Sequence, residues 1–519
     1  WHGETLTLAV INRRLHKREE SKDVLEKVTL IKDIRFACPH RAHVEILFDL
    51  SFDALYEQHH SANFVALHAA WQKTLDISEL NKRFYQEVAN WYFWALETAH
   101  FPKDVPKDSE DRDAISLIRL LTRLIFCWFI KEKGLIPDAL FAERGLAGMV
   151  NGFAPRDTRN TDSNYYKTIL QNLFFATLNT EMDPTGGPAN RRFSRQTRDD
   201  HMIHTVWRHE KLIADKRAFQ ALFKNIPFLN GGLFECLDDR EGTQETRIDG
   251  FSDTPKSQPV VPDALFFGPE TEVNLSGAYG DAKFNRASVR GLIHIFEDYK
   301  FTIEENTPIE EDVALDPELL GHVFENLLAA YNPETGSVAR KTTGSFYTPR
   351  VAVGYMVDEA LFVYLQAKLE AAFPKPTSAA DPSPSPPSGE RAGVRGQPST
   401  IESRLRHLFD WQTEGHQFNP AEVQCLISAI HALKAIDIAC GSGAFPMGLL
   451  LKLVWILRKL DPDNARWRAI QLAAIADGNL RAAAEHVFTG NLPDYTRKLY
   501  LIENCLYGVD IQPIAVQIA

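Results

Sequence analysis

With 519 residues, 44% of them hydrophobic and 24% charged, the chain has the composition of an ordinary globular protein, long enough for roughly two to four domains. A net charge of −12 excludes a wholesale basic coat, so any nucleic-acid contact has to come from local basic patches. Six cysteines, at 38, 127, 236, 425, 440 and 505, lack paired spacing and fit a reducing cytoplasm better than a disulfide framework. The longest apolar runs, such as Leu117–Ile130, carry Arg119 and Arg123 and are too short to span a bilayer.

Taken in chain order, residues 1–75 read as a mixed α/β segment with strand-like runs at Leu6–Ile11 and Val44–Leu50, the second alternating apolar and charged positions around Glu45 and Asp49. Residues 76–305 read as a helix-rich region. Phe84, Val88, Trp91, Tyr92 and Ala95 recur at three- and four-residue spacing, and Leu117, Leu120, Leu121, Leu124, Phe126 and Phe129 repeat the pattern. Tyr166, Leu170, Leu173 and Phe174 extend it, and a packed helical core is the reading these stripes favour. The part from 181 to 290 is irregular and holds Asn230–Gly231–Gly232, turn chemistry flanked by Phe228 and Phe234. Arg191, Arg192, Arg195 and Arg198 around Phe193 suit either a phosphate-contacting loop or a charged flexible one. Cys38, His40 and His43 have ligand-like spacing without a second pair to complete a zinc site, so no metal site is assigned. Glu20–Ser21–Lys22 imitates the end of a metal-dependent nuclease motif without an upstream Asp.

Asp316 and Pro317 mark the start of a helix striped by Leu319, Leu320, Val323, Phe324, Leu327 and Leu328, which Asn332–Pro333 stops. The Pro- and Ser-rich stretch 374–400 cannot build a core and reads as a disordered surface insertion inside one domain. Beyond it, Ile436–Asp437–Ile438–Ala439–Cys440–Gly441–Ser442–Gly443 reads as a strand entering a glycine turn, with an apolar helix following. Pro446 stands where a dinucleotide fingerprint needs its third glycine, and no Gly-Lys-Ser/Thr follows to make a phosphate-binding loop. A second strand-like run, Leu506–Tyr507–Gly508–Val509–Asp510–Ile511, ends in an acid able to hold ribose hydroxyls or simply to close a strand in solvent. A helical insertion from about Leu457 to Tyr500 has to separate the two strands.

Acid-apolar-Ala-Cys-Gly-Ser-Gly-Ala-Phe over 437–445 resembles motif I of adenine-specific DNA methyltransferases, and Leu506–Ile511 resembles motif II of the large, type IIG-like restriction–modification methylases. Upstream, Lys341–Thr342–Thr343–Gly344–Ser345–Phe346–Tyr347–Thr348–Pro349 is similar to motif X, which in this class precedes motif I. The resemblance is specific over roughly 310–519 and looser from about 75 onward. It implies a mixed α and α/β fold: a helix-rich N-terminal region, then an incomplete Rossmann-like class I methyltransferase domain over 306–519. It implies S-adenosyl-L-methionine as cofactor, double-stranded DNA as substrate, and a restriction or defence-system subunit as a further partner.

Residue by residue, the resemblance places Asp437 at the amino end of the cofactor and the Cys440, Gly441 and Gly443 backbone beneath its carboxypropyl arm. Asp510 falls on the ribose, Ile511 on the adenine ring, and Thr348 and Pro349 on the methionine end. The Asn-Pro-Pro-Tyr/Phe segment that holds a flipped adenine is not here: Asn332–Pro333–Glu334 and Asn419–Pro420–Ala421 continue differently, so no residue is assigned as catalytic. Trp1 in place of an initiator Met, and an end just past the second strand, lead us to expect a piece of a longer protein. The competing expectation is a non-catalytic remnant or subunit that binds DNA or a partner.

Overall fold

A computed structural model describes residues 4–516 except 16–22, 38, 60–62, 76, 103–108, 158, 182–190, 196, 198–199, 230–231, 242–243, 303–309, 313, 316–320, 322, 324–347, 349, 375–399, 475–480, 482–492 and 512–514. The helix expected from Asp316, most of the motif X segment, Glu20–Lys22 and nearly all of the Pro- and Ser-rich stretch 374–400 therefore lie outside the described residues. The chain divides into two units, Trp1–Ser345 and Phe346–Gln517.

The first unit opens on a long hairpin. Strand β1 (Thr5–Leu15) pairs antiparallel with β2 (Asp23–Arg35), with irregularities between Leu6 and Leu8 and between Asn12 and Arg13. Two further hairpins are short, β3–β4 (Asp239–Glu241, Gln244–Thr246) and β5–β6 (Thr271–Val273, Ala287–Val289). Strand β7 (Glu310–Asp312) joins β2 in parallel, so residues 310–312 belong to the N-terminal sheet.

Helices α1 (Arg41–Asp49), α2 (Phe52–His59) and α3 (Phe64–Thr74) follow the hairpin. The strand expected at Val44–Leu50 is thus wrong: the segment is helical. Ala42, His43 and Ile46 are its buried positions, a helical spacing that the alternation around Glu45 masks, and Arg41 pairs with Glu45 one turn on at 2.8 Å. The aromatic core is as the stripes foretell. In α4 (Ile77–Thr98), Phe84, Val88, Trp91, Tyr92 and Ala95 are all buried, and in α5 (Ser109–Glu132) so are Leu117, Leu120, Leu121, Leu124 and Phe129. Trp91 satisfies its indole N–H on the Leu265 carbonyl at 2.6 Å.

Several polar groups in this core are paired, although others, among them the Tyr92 hydroxyl and Arg119 Nε and Nη1, are buried without a hydrogen-bond partner. Arg123 donates to Asp249 at 2.9 Å and to the carbonyls of Leu233 and Glu235 at 2.7 and 2.8 Å, clamping the turn after Gly231. Phe234 packs there against Phe126 and Phe174, so the described part of that turn is clasped by aromatics. Arg191 donates to the carbonyls of Phe223, Lys224 and Ile226 at the end of helix Lys216–Phe223, and Arg192 grips Asp200 with both terminal nitrogens. Two of the four arginines singled out in the sequence are therefore structural.

The second unit is a helical layer beside one parallel strand pair. Its helices are α6 (Arg350–Ala372), α7 (Ile401–Phe409), α8 (Pro420–His431), α9 (Ala444–Leu460), α10 (Ala465–Ala474) and α11 (Pro493–Asn504). Leu365, Leu369, Leu405, Leu426, Ile430, Leu453, Leu457 and Trp467 form its core. Asn419–Pro420 serves as a helix start: Asn419 accepts the amides of Ala421 and Glu422, and Glu422 returns a bond to the Asn419 amide at 2.9 Å. Two buried lysines of α9 hold the end of α7, Lys452 on the Phe409 carbonyl and Lys459 on those of Leu408 and Asp410. Strand β8 (Ala435–Asp437) pairs in parallel with β9 (Leu506–Gly508), and α9 to α11 form the connection a parallel pair requires. Of the helical insertion expected between the two strands, the described elements, the end of α9, α10 and α11, are helical, and 475–480 and 482–492 lie outside the described residues.

Candidate cofactor-binding site

The ladder between β8 and β9 continues past the strands. Val509 donates to the Asp437 carbonyl at 2.8 Å and Cys440 to the Val509 carbonyl at 3.0 Å, which carries both chains to the same level. There the first chain turns. Gly441 has φ 53° and Gly443 φ 89°, a left-handed backbone that a side chain would strain, and Gly443 caps the start of α9. The turn is closed from the neighbouring strand, because the Gly441 amide donates to Asp510 Oδ2 at 2.9 Å. Asp437, Cys440, Gly441, Gly443 and Asp510 are thus brought together at the carboxyl end of a parallel pair, the position where open α/β sheets bind ligands.

The two acids differ in how they are spent. Asp437 Oδ1 accepts the Ala439 amide at 3.1 Å, whereas its Oδ2 is buried without a hydrogen-bond partner. A buried acceptor left unmade costs about 1–3 kcal/mol. Asp510 has its carboxylate oriented by the Gly441 amide. Cys440 is buried, and burial together with the Asp510 and Asp437 charges pushes its thiol up, away from nucleophilic chemistry. Its sulfur stands 2.9 Å from where a Cβ on Gly508 would be, so a side chain at 508 would collide with it. Ile511 follows, 94% exposed.

Of the motif X residues, Thr348 is described and Pro349 is not. Helix α6, which starts just after them, runs alongside α9 in the same direction. Val353, one turn into α6, packs where a Cβ on Gly448, one turn into α9, would lie 2.6 Å away, and Asp358 meets Lys452 at 2.8 Å further along. The N-terminal ends of both helices therefore stand at the same end of the layer, with Thr348 close ahead of one and Gly443 capping the other.

Sequence spacing missed one cluster in the first unit. His204, Cys236 and Asp238 bring possible metal-ligand atoms within 4.8 Å of one another. The donor set suits a cation poorly. Asp238 Oδ1 already accepts the amides of Ile248, Asp249 and Gly250, its Oδ2 accepts that of Phe251, and burial pushes the Cys236 thiol up. Of the earlier zinc-like group, His40 bonds the Glu297 carbonyl at 3.1 Å and stacks edge-on with His43, while Cys38 lies outside the described residues.

Among known proteins, no family model matches the chain and no solved structure matches it. A protein of Methanocaldococcus jannaschii that bears the provisional name type II restriction enzyme and methyltransferase is 22% identical over 429 residues, 80% of this chain and 25% of the relative. The chain spans about a quarter of that relative's length. Among the described residues, no helix is long and apolar enough to cross a membrane.

Proposed function

We propose that the chain carries the cofactor-binding part of an S-adenosylmethionine-dependent DNA methyltransferase, acting on adenine N6 in a cytoplasmic restriction–modification or defence system. The observation that carries this reading is the junction of Asp437, the Gly441–Gly443 turn and Asp510 at the end of a parallel strand pair, with one Asp437 oxygen buried and unpartnered. The distant relative named for restriction and methylation supports it.

In this reading the unpartnered Asp437 oxygen receives the cofactor's ammonium group, and the glycine turn lets its amino-acid arm lie against bare backbone. Asp510, oriented by the Gly441 amide, takes the ribose hydroxyls, Ile511 covers the adenine face, and Thr348 and Pro349 close over the methionine end. When bound, S-adenosylmethionine supplies a sulfonium methyl group that an adenine amine takes in line. This chain's residues position the donor; the group that polarises the amine is not among them. The strand pair with its helical crossover is the start of a Rossmann-like sheet, and the irregular part of the first unit is the candidate DNA-contacting region.

Calorimetric titration of the chain with S-adenosylmethionine tests the site. We expect weak binding and no methylation of DNA by this chain. Asp437→Ala and Asp510→Ala each weaken binding by about 1–3 kcal/mol, the range for stranding hydrogen-bonded polar groups. Titrations indistinguishable from the parent would move the cofactor elsewhere, and methylation by this chain alone would show that its catalytic residues have been missed.

A further inference from the structure

The segment from Val44 to Glu57 repeats one kind of dipeptide. Val44–Glu45, Phe48–Asp49, Phe52–Asp53 and Tyr56–Glu57 put an apolar residue beside an acid at every fourth position. Residues four apart on a helix are neighbours on one face, so the repeat makes an apolar row with an acidic row alongside it. Helices α1 and α2 carry two steps each, with only Leu50 and Ser51 between them. Ala42, His43, Ile46, Ala54 and Leu55 are the buried positions of the two helices, so the core is served without the apolar row.

That row faces solvent. Val44, Phe48, Phe52 and Tyr56 are all exposed, Phe48 to 71% and Phe52 to 63%, and Phe52 stacks on Tyr56 with ring centroids 6.2 Å apart. Helix α3 packs beside α2 and adds Phe64 and Val65, also exposed, in its first turn. Beyond Val65, Leu135 and Ile203 are the only exposed large apolar side chains among the described residues of the first unit. Apolar exposure gathered in one place marks an interaction surface, where single exposed residues do not. The acidic row is half spent. Glu45 pairs with Arg41 and lies 3.7 Å from Arg83, and Asp49 pairs with Arg83 at 2.8 Å. Asp53 and Glu57 are exposed, and no ion pair joins either to another described residue.

The charge decides what can lie here. The acidic row repels the phosphates of DNA or of an anionic bilayer, and a second copy brings its own acids and its own net charge of −12. We propose that this face docks an amphipathic helix of another protein, one whose apolar stripe is flanked by lysines or arginines. The aromatic rings take the apolar stripe as anchors, and Asp53 and Glu57 pair with the basic flank, which fixes how the helix lies. None of these residues belongs to the candidate cofactor site, so failure here would leave that reading untouched.

The test is fluorescence anisotropy of a labelled synthetic helix of leucine and lysine, its leucines at three- and four-residue spacing, titrated with the full chain. The same peptide with glutamate in place of lysine is the control. Saturable binding of the lysine peptide alone is expected. Phe52→Ser weakens it by roughly tenfold or more, as loss of an aromatic anchor does, and the exposed position keeps the fold. Asp53→Asn combined with Glu57→Gln weakens it roughly two- to tenfold at low salt and by less at high salt. Val363→Ser, at an exposed apolar position of α6, leaves it unchanged. Equal binding of the two peptides, no saturable binding by the parent chain, or an affinity unchanged in Phe52→Ser overturns the proposal. So does a dimer in sedimentation, or flotation with phosphatidylcholine vesicles, that Phe52→Ser abolishes, because the occupant is then a second copy or a membrane.

Discussion

Asp263 lies buried at the start of the short helix Ala264–Phe267, and its two carboxylate oxygens are treated unequally. Oδ1 accepts the Tyr165 amide at 2.8 Å, while Oδ2 is buried with no hydrogen-bond partner. Burial pushes this carboxyl up from 3.8 to about 7, against the Tyr165 amide and with help from the nearby Asp162 charge. Its folded pKa therefore exceeds its unfolded one, so the native state holds a proton that the unfolded state has lost between about pH 4 and 7. Stability falls as pH rises through that window and levels off above it. A shift of about three units at ~1.36 kcal/mol each sets a ceiling of about 4 kcal/mol. Asp263→Asn keeps an acceptor for Tyr165 and removes the ionisation, at the cost of a buried amide donor. Urea denaturation, with hydrogen exchange of peptides around 160–175 to report on the first unit, should show the variant slightly less stable than the parent at pH 5 and more stable at pH 8. Parallel pH profiles for the two proteins would mean that Asp263 is solvated or partnered in solution and that the argument from its orphan oxygen is wrong.

Breaking the buried Arg123–Asp249 pair with Arg123→Met should cost about 3–5 kcal/mol, because it strands a carboxylate and two carbonyls; a loss under 1 kcal/mol in chemical denaturation would contradict the described burial. Gly448→Val puts side-chain volume where α6 and α9 touch and should destabilise the second unit by about 1–3 kcal/mol, with Gly448→Ala intermediate; an unchanged Tm would show that the two helices are not in contact. Asn419→Ala removes both bonds at the start of α8 and should cost about 1 kcal/mol, whereas Asn419→Asp should restore most of it.

The helical stripes of the first unit were legible because burial repeats with the helix period: Phe84, Val88, Trp91 and Ala95 describe one face, whatever they pack against. The glycine turn was legible for a related reason, since an acid, a strand and two glycines constrain the backbone locally, and the partner strand carries its own acid. Val44–Leu50 misled because Val44 and Phe48 sit on the exposed side, so apolar residues lie on both faces and the alternation with Glu45 and Asp49 imitates a strand. Arg191 was illegible as a cap because its acceptors, the carbonyls of 223–226, lie more than 30 residues away.

The strand pair of the second unit presents Ile436, Ile438, Tyr507, Val509 and Ile511 to solvent, with Ile438 78% exposed. A native preparation of this chain therefore carries a ready apolar strip two strands wide. Fluorescent dyes that light up on hydrophobic surface, commonly used to flag misfolded material, should brighten on the intact protein, and the signal should fall when the second unit unfolds. For this chain a dark sample, rather than a bright one, is the sign of a lost native state.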